Sequence, residues 1–271
     1  MELRVSDIDE IMKNYAPERF KESYDNVGLM VGDLEDKVTN ILIALDCTLD
    51  VIKEAKEKKC NLVLTHHPLL FLKPSSITKQ TLVGKKVIEL IENHINVYSS
   101  HTNLDSVKHG LNDNLMDILG FKDYETIEPC KGRCDLDLVT GVGRIVTLKD
   151  SISIKNLCNK VKMSLHTPFL RYSGDEDKLV KRIAVINGSG EDFFEKSKDL
   201  GAECIITGDT TYHYVSDFLE QGVATIDVGH FETEWPSFKI FGQWLESELR
   251  HRGCINEIVI SSSAKRVYKF K

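Results

Sequence analysis

Apolar and polar positions along this chain follow two spacings, and each change from one to the other marks an element. Val5, Ile8, Ile11 and Met12 recur at helical spacing behind Ser6 and Asp7, which predicts a helix over Val5–Tyr15. Asn40–Asp46, Leu62–Phe71 and Ile95–Ser100 carry short apolar runs, the pattern of strands buried on both faces. Asp50–Lys59 and Gly84–His94 between them read as helices, and Leu111–Leu119 as a helix stopped by Gly120. Asp25–Asp33 reads as a loop entering a short strand, its glycines serving tight backbone geometry.

Past residue 121 the pattern loosens. Leu138–Leu148 alternates as a half-exposed antiparallel strand would, Ile152–Ser164 is helical behind Ser151, and Ser173–Lys178 is a polar turn. The earlier plan then returns. Arg182–Asn187 is a strand, Glu191–Leu200 a helix, and Glu203–Ile206 a strand ending in Thr-Gly-Asp209. A helix around His213–Glu220, the strand Val223–Val228, the helix Ser237–Arg252 and the strand Glu257–Ser262 follow. The expectation is an α/β fold of two similar βαβ-rich lobes, 1–125 and 181–271, arising from an internal pseudo-duplication. The segment 126–180 is expected to connect them as sheet and helix, without chemistry of its own.

A length of 271 residues suffices for two such lobes. The net charge of -7 and pI near 5.8 argue against general affinity for nucleic acid or anionic membrane. No apolar stretch approaches the roughly 20 residues needed to span a bilayer. The start Met-Glu-Leu-Arg-Val-Ser-Asp lacks a basic region followed by an apolar one, so a cytoplasmic protein is expected. Its seven cysteines are odd in number and scattered, which fits reduced thiols. Cys130 and Cys134 form a close pair without a second pair at zinc-finger spacing, so no structural zinc is expected there.

The chemistry gathers at strand ends. Leu62–Phe71 runs into His66-His67-Pro68, and two later strands end in His101-x-x-x-Asp105 and His230-x-x-x-Glu234. His-x-x-x-acid at a strand-to-helix junction puts both side chains on one face of the opening turn. A lone histidine there often only caps a helix or bonds a carbonyl. Two equivalent motifs and a double histidine together point to metal. If the two lobes face each other, His66, His67, Asp105, His230 and Glu234 collect at one place, with His101 close by. That set exceeds one tetrahedral zinc and suits two divalent ions about 3.5–4 Å apart. Its nitrogen and oxygen donors fit Zn, Fe or Mn. Pro68 keeps His67 extended, so the adjacent rings diverge toward different ions. His101 and His213 are candidate proton carriers or supports for the ligands. Asp209 is a candidate acceptor or a turn residue, and Gly188-Ser-Gly190 a candidate anion nest.

Asp25-Asn-Val-Gly-Leu, Thr65-His-His-Pro, Ser100-His-Thr-Asn-Leu-Asp105, Thr207-Gly-Asp with Tyr212-His213, and Gly229-His-Phe-Glu-Thr-Glu234 together resemble the Nif-three-like family, also labelled GTP cyclohydrolase I type 2 homologues. The resemblance spans nearly the whole chain. It departs at Tyr24, where the family usually has Trp, and in Phe231-Glu232-Thr233. It implies His66, His67, Asp105, His230 and Glu234 as ligands of two metal ions, Glu234 bridging both. It also implies a toroidal homohexamer with the dimetal sites facing an inner cavity, and purine ring opening on GTP. The expected function is a dinuclear metal-dependent hydrolase acting on a small molecule, a nucleotide or a phosphoester. The residues leave open a non-catalytic metal-binding or regulatory protein.

Overall fold

Four residues, Leu62–Thr65, are buried along their whole length, and the rest of one sheet is arranged around them. The structure is a computed structural model that describes residues 2–130 and 140–269. In chain order the elements are α1 (Val5–Tyr15), β1 (Gly28–Val31), β2 (Ile41–Ala44), α2 (Leu49–Glu57), β3 (Leu62–Thr65), α3 (Leu82–Glu92), β4 (Asn96–Ser99), α4 (Thr102–Ser106) and α5 (Leu111–Leu119). After these come β5 (Glu125–Pro129), β6 (Gly141–Ser153), α6 (Ile154–Ser164), β7 (Arg171–Tyr172), β8 (Leu179–Ser189), α7 (Phe194–Asp199), β9 (Cys204–Gly208), α8 (Tyr212–Glu220), β10 (Ala224–Asp227), α9 (His230–His251) and β11 (Ile258–Ile260). This is a mixed α/β fold with two sheets, as the periodicity implied.

The chain divides into two compact units. The first comprises residues 1–104 and 238–265 and holds a five-stranded sheet in the order β1-β4-β3-β2-β11. Its strands are parallel except β1, which pairs antiparallel with β4. Leu42, Ala44, Val63 and Val97 pack with Val51, Ile52 and Ala55 of α2 and with Val87 and Leu90 of α3. Thr48 and Thr81 cap those helices, their hydroxyls accepting from the Val51 and Gly84 amides.

The second unit comprises residues 105–237 and 266–271, its sheet running β5-β6-β8-β9-β10-β7. Strands β8, β9 and β10 are parallel, and the others join antiparallel. Ile183 and Val185 of β8 face one apolar cluster while Ala184 and Ile186 face another, so the strand is covered on both sides. The stretch expected as a connector contributes β5, β6 and β7 to this sheet, and α6 packs against it. Leu119 is followed by Gly120 at φ 70°, the left-handed stop the sequence implied.

Two helix starts depart from expectation: α6 begins at Ile154, where Ser153 and not Ser151 is the cap, because Ile152 still belongs to β6, and α9 begins early. α9 begins at His230 instead of Ser237 and carries Pro236 inside it. A proline lacks the amide that would reach back four residues, so the pattern reads as a start. Here the first turn forms ahead of it. The Cys130/Cys134 pair lies partly outside the described residues. Among those described, no helix is long and apolar enough to cross a membrane.

Candidate metal centre

In the first unit two strand ends together deliver three imidazoles. His66 follows β3 and is fully buried; His67 is next to it, and His101 follows β4. One ligand atom from each of the three lies within 4.8 Å of the others. Ring centroids are 5.1 to 5.6 Å apart. Each ring is held by its Nδ1. His66 donates to the Ser100 carbonyl at 2.9 Å, His67 to Asp46 at 2.8 Å, and His101 to Asp25 at 2.9 Å. These partners are acceptors only, so the proton sits on Nδ1 and Nε2 carries the lone pair that ligates a metal. Burial alone would raise the Asp25 carboxyl. Hydrogen bonds from His101 and from the hydroxyl and amide of Thr102 outweigh it and hold the group at about 2.

The second unit repeats the device. Asp209 accepts from His230 Nδ1 at 2.7 Å, which leaves Nε2 facing Glu234 Oε2 at 3.0 Å. At that separation Nε2 either donates to Glu234 as an imidazolium or shares a cation with it, and donors of one ion bonded at about 2.0–2.2 Å stand roughly this far apart. Asp209 adopts φ 53°, an uncommon conformation for a non-glycine residue and one found at functional sites. Asp105 is buried and accepts from Asn187 Nδ2 at 2.8 Å.

Glycine makes room for Glu234. Gly188 has φ 60°, and a Cβ there would lie 2.3 Å from Glu234 Oε1. A Cβ at Gly190 would likewise lie 2.6 Å from Thr207 Oγ1, so both glycines of the Gly188–Gly190 turn make room for side chains of the fold. His213 is exposed on the first turn of α8, its ring contact being Tyr212 at 5.4 Å; it stands in neither histidine group. Asp46, Asp25 and Ser100 went unassigned in the sequence. Asp46, ending an apolar run as Asp209 does, was the one signal available.

A model of the DUF34/NIF3 family (NGG1p interacting factor 3) matches residues 3–266. The chain belongs to the NIF3 family. It is 52% identical over 271 residues to a Clostridium acetobutylicum protein named GTP cyclohydrolase 1 type 2 homolog, covering all of both chains. A Clostridium perfringens protein of the same name is 48% identical, covering 99% of this chain and 100% of its own. The crystal structure of a Staphylococcus aureus hypothetical protein superposes with a TM-score of 0.90 at 27% identity, covering 100% of each chain. In this NIF3 chain the tethered histidines are a donor set fit for divalent metal.

Proposed function

We propose that this protein is a dinuclear metal-dependent hydrolase, with His66, His67, Asp105, His230 and Glu234 together holding two divalent cations. The observation that carries this reading is the tethering of four imidazoles. Nδ1 is occupied in His66, His67, His101 and His230, by a carboxylate in three cases and a carbonyl in one. Such partners fix the tautomer and raise ligand basicity. Bound at such a set, Zn, Fe or Mn ions supply Lewis acidity that activates water near neutral pH. The chain's own part is to orient the donors, and His101, tied to Asp25, is placed to move a proton. Among the described residues no carboxylate or carbonyl ties His213, so this reading gives the proton-carrier role first to His101 and keeps His213 as the second candidate.

The substrate class is a nucleotide or phosphoester, in keeping with the relatives' names. An internal duplication is part of the same reading. Each sheet contains an antiparallel edge strand followed by three parallel strands, β1-β4-β3-β2 in one and β7-β10-β9-β8 in the other. A homohexamer, implied by resemblance, completes the picture and is read by light scattering.

Elemental analysis of purified protein should return two metal ions per chain, and Glu234→Ala should lower that content while the fold persists. Turnover of nucleoside triphosphates or phosphoesters by the loaded wild type, lost in Glu234→Ala, establishes the enzyme. Tight metal without turnover across such a panel would instead favour a metal-binding or regulatory protein. Absence of metal after loading removes both readings.

A further inference from the structure

The first turn of α5 goes against the usual composition of a buried helix. Asn112, Asp113 and Asn114 stand in a row there, at 1%, 3% and 7% exposure. Buried polar groups cost stability unless hydrogen-bonded, and apolar side chains of similar size often serve a core as well. Three in succession call for a reason. Successive helical side chains point about 100° apart, so a run of three can reach three neighbouring elements.

This run does so. Asn112 Nδ2 donates to the Asp105 carbonyl of α4 at 3.1 Å, and its Oδ1 accepts from the Asn187 amide of β8 at 3.2 Å. Asn187 closes the ring, its Nδ2 donating to Asp105 Oδ1 at 2.8 Å. Asp113 accepts from the His109 amide at 2.7 Å and from Nε of Arg144 on β6. That guanidinium is fully buried and also donates to the Gly141 and Gly143 carbonyls, so it fixes α5 to β6. Asn114 Nδ2 donates to the Ser237 carbonyl of α9 at 3.3 Å, one turn beyond His230 and Glu234. β8 meets α9 as well, the Gly188 amide donating to Thr233 Oγ1 at 2.9 Å. The segments bearing the second unit's three candidate ligands are thus all tied to α5 or to the end of β8.

We propose that Asn112, Asn114 and Asn187 are positioning residues for metal: Asn112 and Asn187 place Asp105, and Asn114 places His230 and Glu234. A satisfied buried network favours one arrangement of the groups it joins, and the groups joined here carry ligands. Asp113 differs from its neighbours. It reaches back to the turn before the helix and anchors on Arg144, which a structural role explains. The proposal rests on the metal reading of Asp105, His230 and Glu234.

The test is zinc affinity of the full chain by chelator competition, beside thermal unfolding of the metal-free protein. Asn187→Leu removes the bond to the ligand carboxylate itself and should weaken zinc binding about 10–100-fold. Asn112→Leu and Asn114→Leu should each weaken it about tenfold. Val161→Ala, which opens a cavity in α6 and breaks none of these bonds, is the control: it lowers metal-free stability and should leave affinity unchanged. Pairing with Asp105→Ala separates the two arms. In that background Asn112→Leu and Asn187→Leu should add nothing, whereas Asn114→Leu should add its full loss. Should Asn112→Leu not fold, Asn187→Leu carries the same arm, since it leaves both bonds of the Asn112 side chain in place. Wild-type affinity in the leucine variants, or a further loss from Asn187→Leu once Asp105 is gone, overturns the proposal and leaves the metal reading standing. A wild type that takes up no zinc removes the metal reading and this proposal with it.

Discussion

Asp46 touches no proposed substrate and is not a proposed ligand, yet it decides which nitrogen of His67 presents a lone pair. Its carboxylate accepts from Nδ1 at 2.8 Å, as Asp209 does from His230 at 2.7 Å. Removing such a support typically costs 10–100-fold in metal affinity. Asp46→Ala should therefore weaken metal binding by about that factor in a chelator competition, with secondary structure retained by circular dichroism. The histidines themselves were legible because each ends an apolar run, and the two His-x-x-x-acid motifs repeat. Their supports were not. Asp25 and Ser100 lie on segments that meet His101 and His66 only through strand order, which no local spacing encodes.

At the scale of elements, the end of the first sheet depends on a carboxylate on a helix. Glu54 of α2 is buried and accepts from Ser261 Oγ at 2.6 Å, Ser262 N at 2.9 Å, Ser262 Oγ at 2.8 Å and Ser263 N at 2.9 Å, with Lys58 at 2.8 Å. The three serines follow β11 directly. Burial would raise the Glu54 carboxyl, but the bonds from Lys58 and the serines outweigh it and hold the group well below its ordinary value. A depressed folded-state value stabilises the fold above the unfolded value, 4.5, and that contribution fades as pH falls below it. Urea titrations should show wild-type stability dropping on acidification below about pH 4.5. Glu54→Gln should be less stable at neutral pH by about 1–3 kcal/mol, with the gap to wild type closing in acid. Equal differences at both pH values would dismiss the clasp. Boundaries of α1 and the Gly120 stop were readable from spacing and turn chemistry. The start of α9 was not, because Pro236 imitates a beginning that the fold places six residues earlier.

For the whole molecule, the consequential feature is the discontinuity of the first unit. Contiguous lobes were the natural reading of a chain whose pattern repeats, but pattern says nothing about which strand borders which. Ile258–Ile260 pairs in parallel with Ile41–Ile43, and the Glu257 amide donates to Asn40 Oδ1 across 217 positions at 3.0 Å. A chain ending at residue 252 would leave β2 as a bare sheet edge, a template for aggregation. Limited proteolysis should find residues 1–104 of that truncation cleaved far faster than in the full chain, while β6, β8 and β9 stay protected. During synthesis the ribosome emits β2, β3 and β4 early and β11 nearly last, so the second unit's sheet, whose strands all lie within 105–237, is translated whole while the first unit's sheet still waits for its final strand. The sheet begun first is thus the last to have all its strands, and nascent-chain handling by chaperones should concentrate on the opening hundred residues.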